Sequence, residues 1–91
     1  MLEIYTENHM KIIKNIVDDW DPIDILAFSP NDEYHSEISE IEQLLCTTNN
    51  VLELGDGIYH IFLRSFGEDM FHKSKSDCII IARAIMEALL Q

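Results

Sequence analysis

Asp18, Asp19, Asp21 and Asp24 crowd into one short stretch, and carboxylates at that density are the oxygen donors a hard cation would use. Their spacing argues against it. A calcium loop alternates its ligands as D-x-[DN]-x-[DN]-G and closes with a glutamate, whereas Pro22 interrupts this cluster and no closing residue follows. A second candidate is Asp32-x-x-His35, which sets a carboxylate and an imidazole one helical turn apart. Di-metal helical bundles need a Glu-x-x-His from each of two helices plus two further carboxylates, and this chain has only one distant relative of that motif. Cys46 and Cys78 have no Cys or His at ligand spacing and no nearby base to lower their pKa. Both fall on the apolar side of a helical pattern and are expected to be buried, reduced thiols. Ser65 and Ser74 lack an elbow motif, and there is no glycine-rich phosphate loop. The chain is therefore read as a non-enzyme with no metal, no cofactor and no catalytic residue.

The elements that carry these residues are helical. Met10, Ile13, Ile16, Val17 and Trp20 recur at three- and four-residue steps from about Thr6 to Asp19, with Thr6 as a cap. Pro22 removes Asp21 from helical geometry and stops this helix near Trp20. Between Pro22 and Pro30 an ordered connection is expected, anchored by Trp20, Ile23, Leu26 and Phe28. Asn31 or Asp32 caps a second helix with Tyr34, Ile38, Ile41 and Leu45 on one face, and Glu37, Glu40 and Glu42 are assigned outward. The Thr47-Thr48-Asn49-Asn50 break ends it and offers a cap to a third helix, whose face is Val51, Leu54, Ile58, Ile61, Phe62 and Phe66. Gly55 and Gly57 weaken that helix unless a neighbour needs their bareness, and Gly67 ends it. Met70 and Phe71 are expected to tuck under the following loop. Ser74 or Ser76 opens a last helix through Cys78, Ile81, Ala82, Ile85 and Leu89. Ile79, Ile80, Met86 and Leu90 fall off its stripe, so it is read as the central helix or, failing that, as half of a homodimer contact. The expected fold is all-α: one compact four-helix domain over residues 1–91, with an ordered Pro-containing loop between the first two helices.

Charge is the strongest compositional signal. Seventeen Asp and Glu against six Lys and Arg give a formal net charge of −11, and no Lys or Arg occurs between Lys14 and Arg64. Such a chain repels nucleic acid and anionic lipid and attracts basic proteins. No apolar run approaches the roughly 20 residues of a membrane span, and the first residues lack the pattern of a signal peptide, so a cytoplasmic protein is expected.

Trp20-Asp21-Pro22-Ile23, then Asp32-Glu33-Tyr34, then Ser65-Phe66, then Cys78-Ile79-Ile80-Ile81-Ala82 resemble a signature of short bacterial helical proteins: W-D-P-(I/F), D-E-Y, S-F and C-x-x-I-A. The position after W-D-P-I, usually glycine, is Asp24 here. The group includes YugE-like proteins and resembles immunity proteins of contact-dependent growth inhibition and related polymorphic toxin systems. The resemblance implies a cytosolic protein that neutralises a cognate basic toxin domain, a nuclease by preference, and it brings no catalytic residues. Joined to the charge pattern, it assigns the partner-binding surface to Asp18, Asp19, Asp21, Asp24, Asp32, Glu33, Tyr34, His35, Glu37, Glu40 and Glu42. The alternative is a YugE-like helical adaptor or dimer with no toxin partner, its acidity serving solubility.

Overall fold

The computed structural model describes residues 7–23 and 34–90. It contains four helices, α1 (Glu7–Trp20), α2 (His35–Leu45), α3 (Val51–Phe66) and α4 (Lys75–Leu89), and no strand among the described residues. The all-α four-helix architecture is thus as expected, and three of the helix ends follow from particular residues. Ahead of Pro22, Asp21 turns into the left-handed region at φ 45°, while its N–H still donates to the Val17 carbonyl at 2.8 Å. Asn50 caps α3 by accepting from the Leu52 and Glu53 amides at 2.8 and 3.1 Å. Ser74 and Asp77 form a reciprocal capping box at the start of α4, and the two hydrogen bonds from Ser74 hold the Asp77 carboxyl below its usual range. The cap expected from Thr6 lies outside the described residues, and α2 starts later than expected, at His35, with Tyr34 rather than Asn31 or Asp32 at its N-cap.

Each helix packs on two neighbours. α1 lies between α2 and α4, α3 lies between the same two, and the diagonal pairs stay more than 8 Å apart at their backbones. Neighbours run antiparallel: Arg64 pairs with Glu40, while Gly57, two turns earlier on α3, meets Leu44, one turn later on α2. Along the next seam Lys75 reaches Asp56 at 3.0 Å, and Ile79 lies against Gly55. No helix is central, which corrects the expectation for α4. Its off-stripe residues do not enclose it in protein: Ile80 and Leu90 face water, and only Cys78, Ala82 and Ile85 are fully inside. The loop after Gly67 is likewise half as expected, with Phe71 buried and Met70 exposed.

The interior is dominated by rings. Phe62 meets Trp20 edge-on at 5.5 Å, Tyr34 at 5.8 Å, and stacks near-parallel with Phe66 at 6.0 Å and Phe71 at 5.6 Å. Each such pair adds roughly 0.5–1.5 kcal/mol beyond the area it buries. Phe62 thereby links α1, α3, the start of α2 and the loop before α4.

At Gly55 the backbones of α3 and α4 approach closely. A β-carbon there would stand 2.8 Å from the Ile79 α-carbon and 2.6 Å from its Cγ1. At Gly57 the added methyl would meet only the flexible tip of Leu44. Gly55→Ala should therefore destabilise the fold by about 1–3 kcal/mol despite its better helix propensity. Gly57→Ala should stay within about 1 kcal/mol of wild type. Urea denaturation midpoints of the two variants check the contrast.

Candidate protein-binding surface

The residues assigned to partner binding do not form one face. Asp18 and Asp19 lie in the last turn of α1, Asp21 in the corner after it, and Tyr34, His35, Glu37, Glu40 and Glu42 along α2. Asp24, Asp32 and Glu33 lie outside the described residues, as do Leu26 and Phe28 of the expected connection.

Tyr34 is not a surface residue. Its ring is wholly buried against Phe62 and Phe66, and its hydroxyl donates to Asp21 Oδ1 at 2.5 Å. The Tyr34 hydroxyl oxygen in turn accepts the Ile23 amide at 3.3 Å. A phenol taken out of water needs a partner for its O–H, and the corner that Pro22 imposes supplies one. Asp21 is therefore engaged inside the molecule, fastening the end of α1 to the start of α2. Trp20 and Ile23 pack against the core on either side of this clip, and Pro22 is buried.

Glu37 is the second correction. It is only 6 % exposed, and its Oε1 has no hydrogen-bond partner. Three residues beyond Tyr34 and four before Ile41, it falls on the inward side of α2 whatever its polarity. Of the remaining glutamates, Glu40 pairs with Arg64 across the α2–α3 seam. Glu42 is half-buried on the opposite flank, roughly 160° around the helix from Glu40. The outermost strip of α2 carries His35, Ser36 and Gln43 instead.

The few cations are spent partly on the named acids. Lys14 bridges Asp18 at 2.5 Å, while Asp56 lies 3.0 Å from Lys75 and 3.5 Å from His60 Nδ1. Asp19 and Glu42 have no Lys or Arg partner among the described residues, and Glu53 accepts from the Thr48 hydroxyl at 2.6 Å. The i,i+4 pairs Lys14–Asp18 and Asp56–His60 were open to sequence reasoning by spacing alone. Arg64–Glu40 and Asp21–Tyr34 join distant segments, and no local pattern signals them.

The cysteines divide. Cys78 is buried, and desolvation, with the Asp77 carboxylate beside it, pushes its thiol up to about 12. Cys46 is exposed, against expectation. One position past Leu45, at the C-cap of α2, it points away from the stripe that holds Ile38, Ile41 and Leu45. Among the described residues no group of three His, Cys, Asp or Glu could hold a metal ion, and no helix is long and apolar enough to cross a membrane.

An antiparallel ring of helices around an aromatic core defines a small helical-bundle domain. Residues 11–88 match the family described as Domain of unknown function (DUF1871), and the chain belongs to that family. Neither the curated proteins nor the solved structures hold a match.

Two outcomes check the geometry of the corner and the thiols. Tyr34→Phe keeps the ring but removes both hydroxyl contacts, and should lower stability by about 1.5–3 kcal/mol, the range for a hydrogen bond to a charged group. Denaturation against wild type measures it. With an aromatic disulfide reagent under native conditions, one thiol, Cys46, should react at once and Cys78 only after denaturant is added; Cys46→Ser should abolish the fast phase.

Proposed function

We propose that this chain is a binding protein for a basic protein partner, and more narrowly an immunity protein that neutralises a basic toxin domain, a nuclease of a contact-dependent growth inhibition or related system. The observation that carries the reading is the charge distribution: residues 64–91 hold four Lys and Arg against four Asp and Glu, so the whole formal −11 falls on residues 1–63. The resemblance of the Trp20-Asp21-Pro22-Ile23 and Asp32-Glu33-Tyr34 segments to immunity proteins supports the narrower form.

With Tyr34 and Glu37 inside the molecule and Asp21 held by Tyr34, attraction rests on a field over residues 1–63 rather than on one comb of carboxylates. Asp19 and Glu42, neither paired with a Lys or Arg among the described residues, provide the field together with the exposed Glu53 and Asp56 of α3. A field of this kind speeds encounter and selects a basic partner more than it adds affinity. It also repels the phosphate backbone that a nuclease would otherwise engage.

The test is association with the basic protein encoded beside this one, followed by stopped-flow fluorescence of Trp20. The association rate should fall steeply between low and moderate salt, and Asp19→Lys with Glu42→Lys should slow it about tenfold at low salt. No complex with that protein, or a rate indifferent to both salt and charge reversal, would remove the proposal.

A further inference from the structure

At one end of the bundle α1, α2 and α4 leave a cavity between them. His9 reaches it from the first turn of α1, Leu45 from the last turn of α2, and Met86, Leu89 and Leu90 from the end of α4. Thr48 and Asn49 of the α2–α3 connection complete the wall. The volume is about 260 Å³, well above the roughly 150 Å³ in which an aliphatic protein cavity takes up benzene. Apolar clefts between the helices of a bundle, edged by a few polar groups, are where small molecules bind.

The polar edge leads in one direction. Leu45, Thr48 and Asn49 also border a second, more open hollow that follows the connection as far as Glu53. Among the described residues that line it, Glu53 alone is charged. Its Oε1 accepts the Thr48 hydroxyl at 2.6 Å, so a wall residue of the cavity touches the carboxylate directly. No Lys or Arg pairs with Glu53 among the described residues. The connection is braced by its own hydrogen bonds. Thr47 donates to the Leu44 carbonyl at 2.8 Å, the Thr48 hydroxyl accepts the Asn50 amide at 3.1 Å, and Asn50 caps α3. Cavity and carboxylate are thus fixed relative to one another before a ligand arrives, which reduces the ordering cost of binding.

Size, lining and charge define the ligand. The volume admits a body of one or two rings, and the thioether of Met86 among leucines makes favourable contacts with an aromatic edge. A protein of net −11 draws cations to its surface and repels anions, and Glu53 offers an ammonium group a charged acceptor beside the cavity. We propose that this end of the bundle binds an arylalkylamine, a small cationic amphiphile whose ring fills the cavity and whose ammonium group meets Glu53.

Titration of the isotope-labelled full chain with tryptamine, followed by amide proton–nitrogen correlation spectra, tests this directly. Saturable shifts should appear at Thr48, Asn49, Glu53 and Leu89, with a Kd of about 1 mM or tighter. Indole-3-propionate, which carries a carboxylate in place of the ammonium group, should bind at least about tenfold more weakly than tryptamine. Neutral indole should fall between the two. Glu53→Gln keeps an acceptor for the Thr48 hydroxyl and should weaken tryptamine about fivefold while leaving indole unchanged. Since an unfolded chain binds neither, retained indole binding separates a lost contact from a lost fold. The absence of saturable shifts with tryptamine, shifts confined to another part of the molecule, or a preference for the amine that survives Glu53→Gln overturns the proposal.

Discussion

A tyrosine hydroxyl enclosed by protein has to be satisfied by protein, and in this molecule that requirement sets the geometry of half the bundle. Tyr34 is fully buried, so its O–H must find an acceptor among groups that the chain can bring to it. Pro22 makes that acceptor available. It blocks helix at Asp21, which swings to φ 45° and so carries its carboxylate off the axis of α1 and toward α2. The resulting 2.5 Å hydrogen bond fixes where α1 ends relative to where α2 begins. The rings of Trp20 and Tyr34 both reach the Phe62 ring, which ties α3 to α1 through side chains without their backbones touching.

Several residues of the four short motifs in the sequence perform this structural work. Trp20 and Asp21 make the corner, Tyr34 closes it, Phe66 stacks on Phe62 and meets Tyr34 edge-on, and Cys78 and Ala82 fill the inner side of α4. These side chains specify packing. They say little about an activity, because none of them faces solvent with chemistry to spare, and the Cys78 thiol is held in its protonated form by burial. Functional differences among proteins built this way would have to reside in the outward positions, where the packing of the core imposes few constraints.

Helix number, helix faces and most helix ends were legible from periodicity, proline and capping residues, since these are local effects felt over one or two turns. Expectation and structure part where polarity and position disagree. Glu37 was placed outside because it is charged, although its spacing from Tyr34 and Ile41 puts it inside. Cys46 is expected inside from the apolar side of the helical pattern and the usual burial of a free thiol, yet it follows Leu45 off the end of the stripe and is exposed. The spacing of Tyr34 from Ile38 and Ile41 points to the core and its hydroxyl to a contact surface, and the distant Asp21 decides for the core. The pairing of Glu40 with Arg64 belongs to the same class, because the absence of a lysine one turn away on α2 carries no information about α3.

Glu37 also shows how the acidity of this chain is accommodated internally. A buried carboxylate oxygen without a hydrogen-bond partner is a costly thing to keep, worth several kcal/mol if nothing offset it. Its position supplies an offset: as the third residue of α2, it lies in the first turn, where unsatisfied amides and the helix dipole favour negative charge by up to about 2 kcal/mol in partly buried settings. Tyr34 at the N-cap makes no side-chain cap of its own, which leaves that end of the helix more dependent on the carboxylate behind it. Glu37 and Asp21 therefore both act at the α1–α2 junction, one through the helix dipole and the other through a hydrogen bond. The charge count of the sequence overstates what the surface can offer a partner by those two groups.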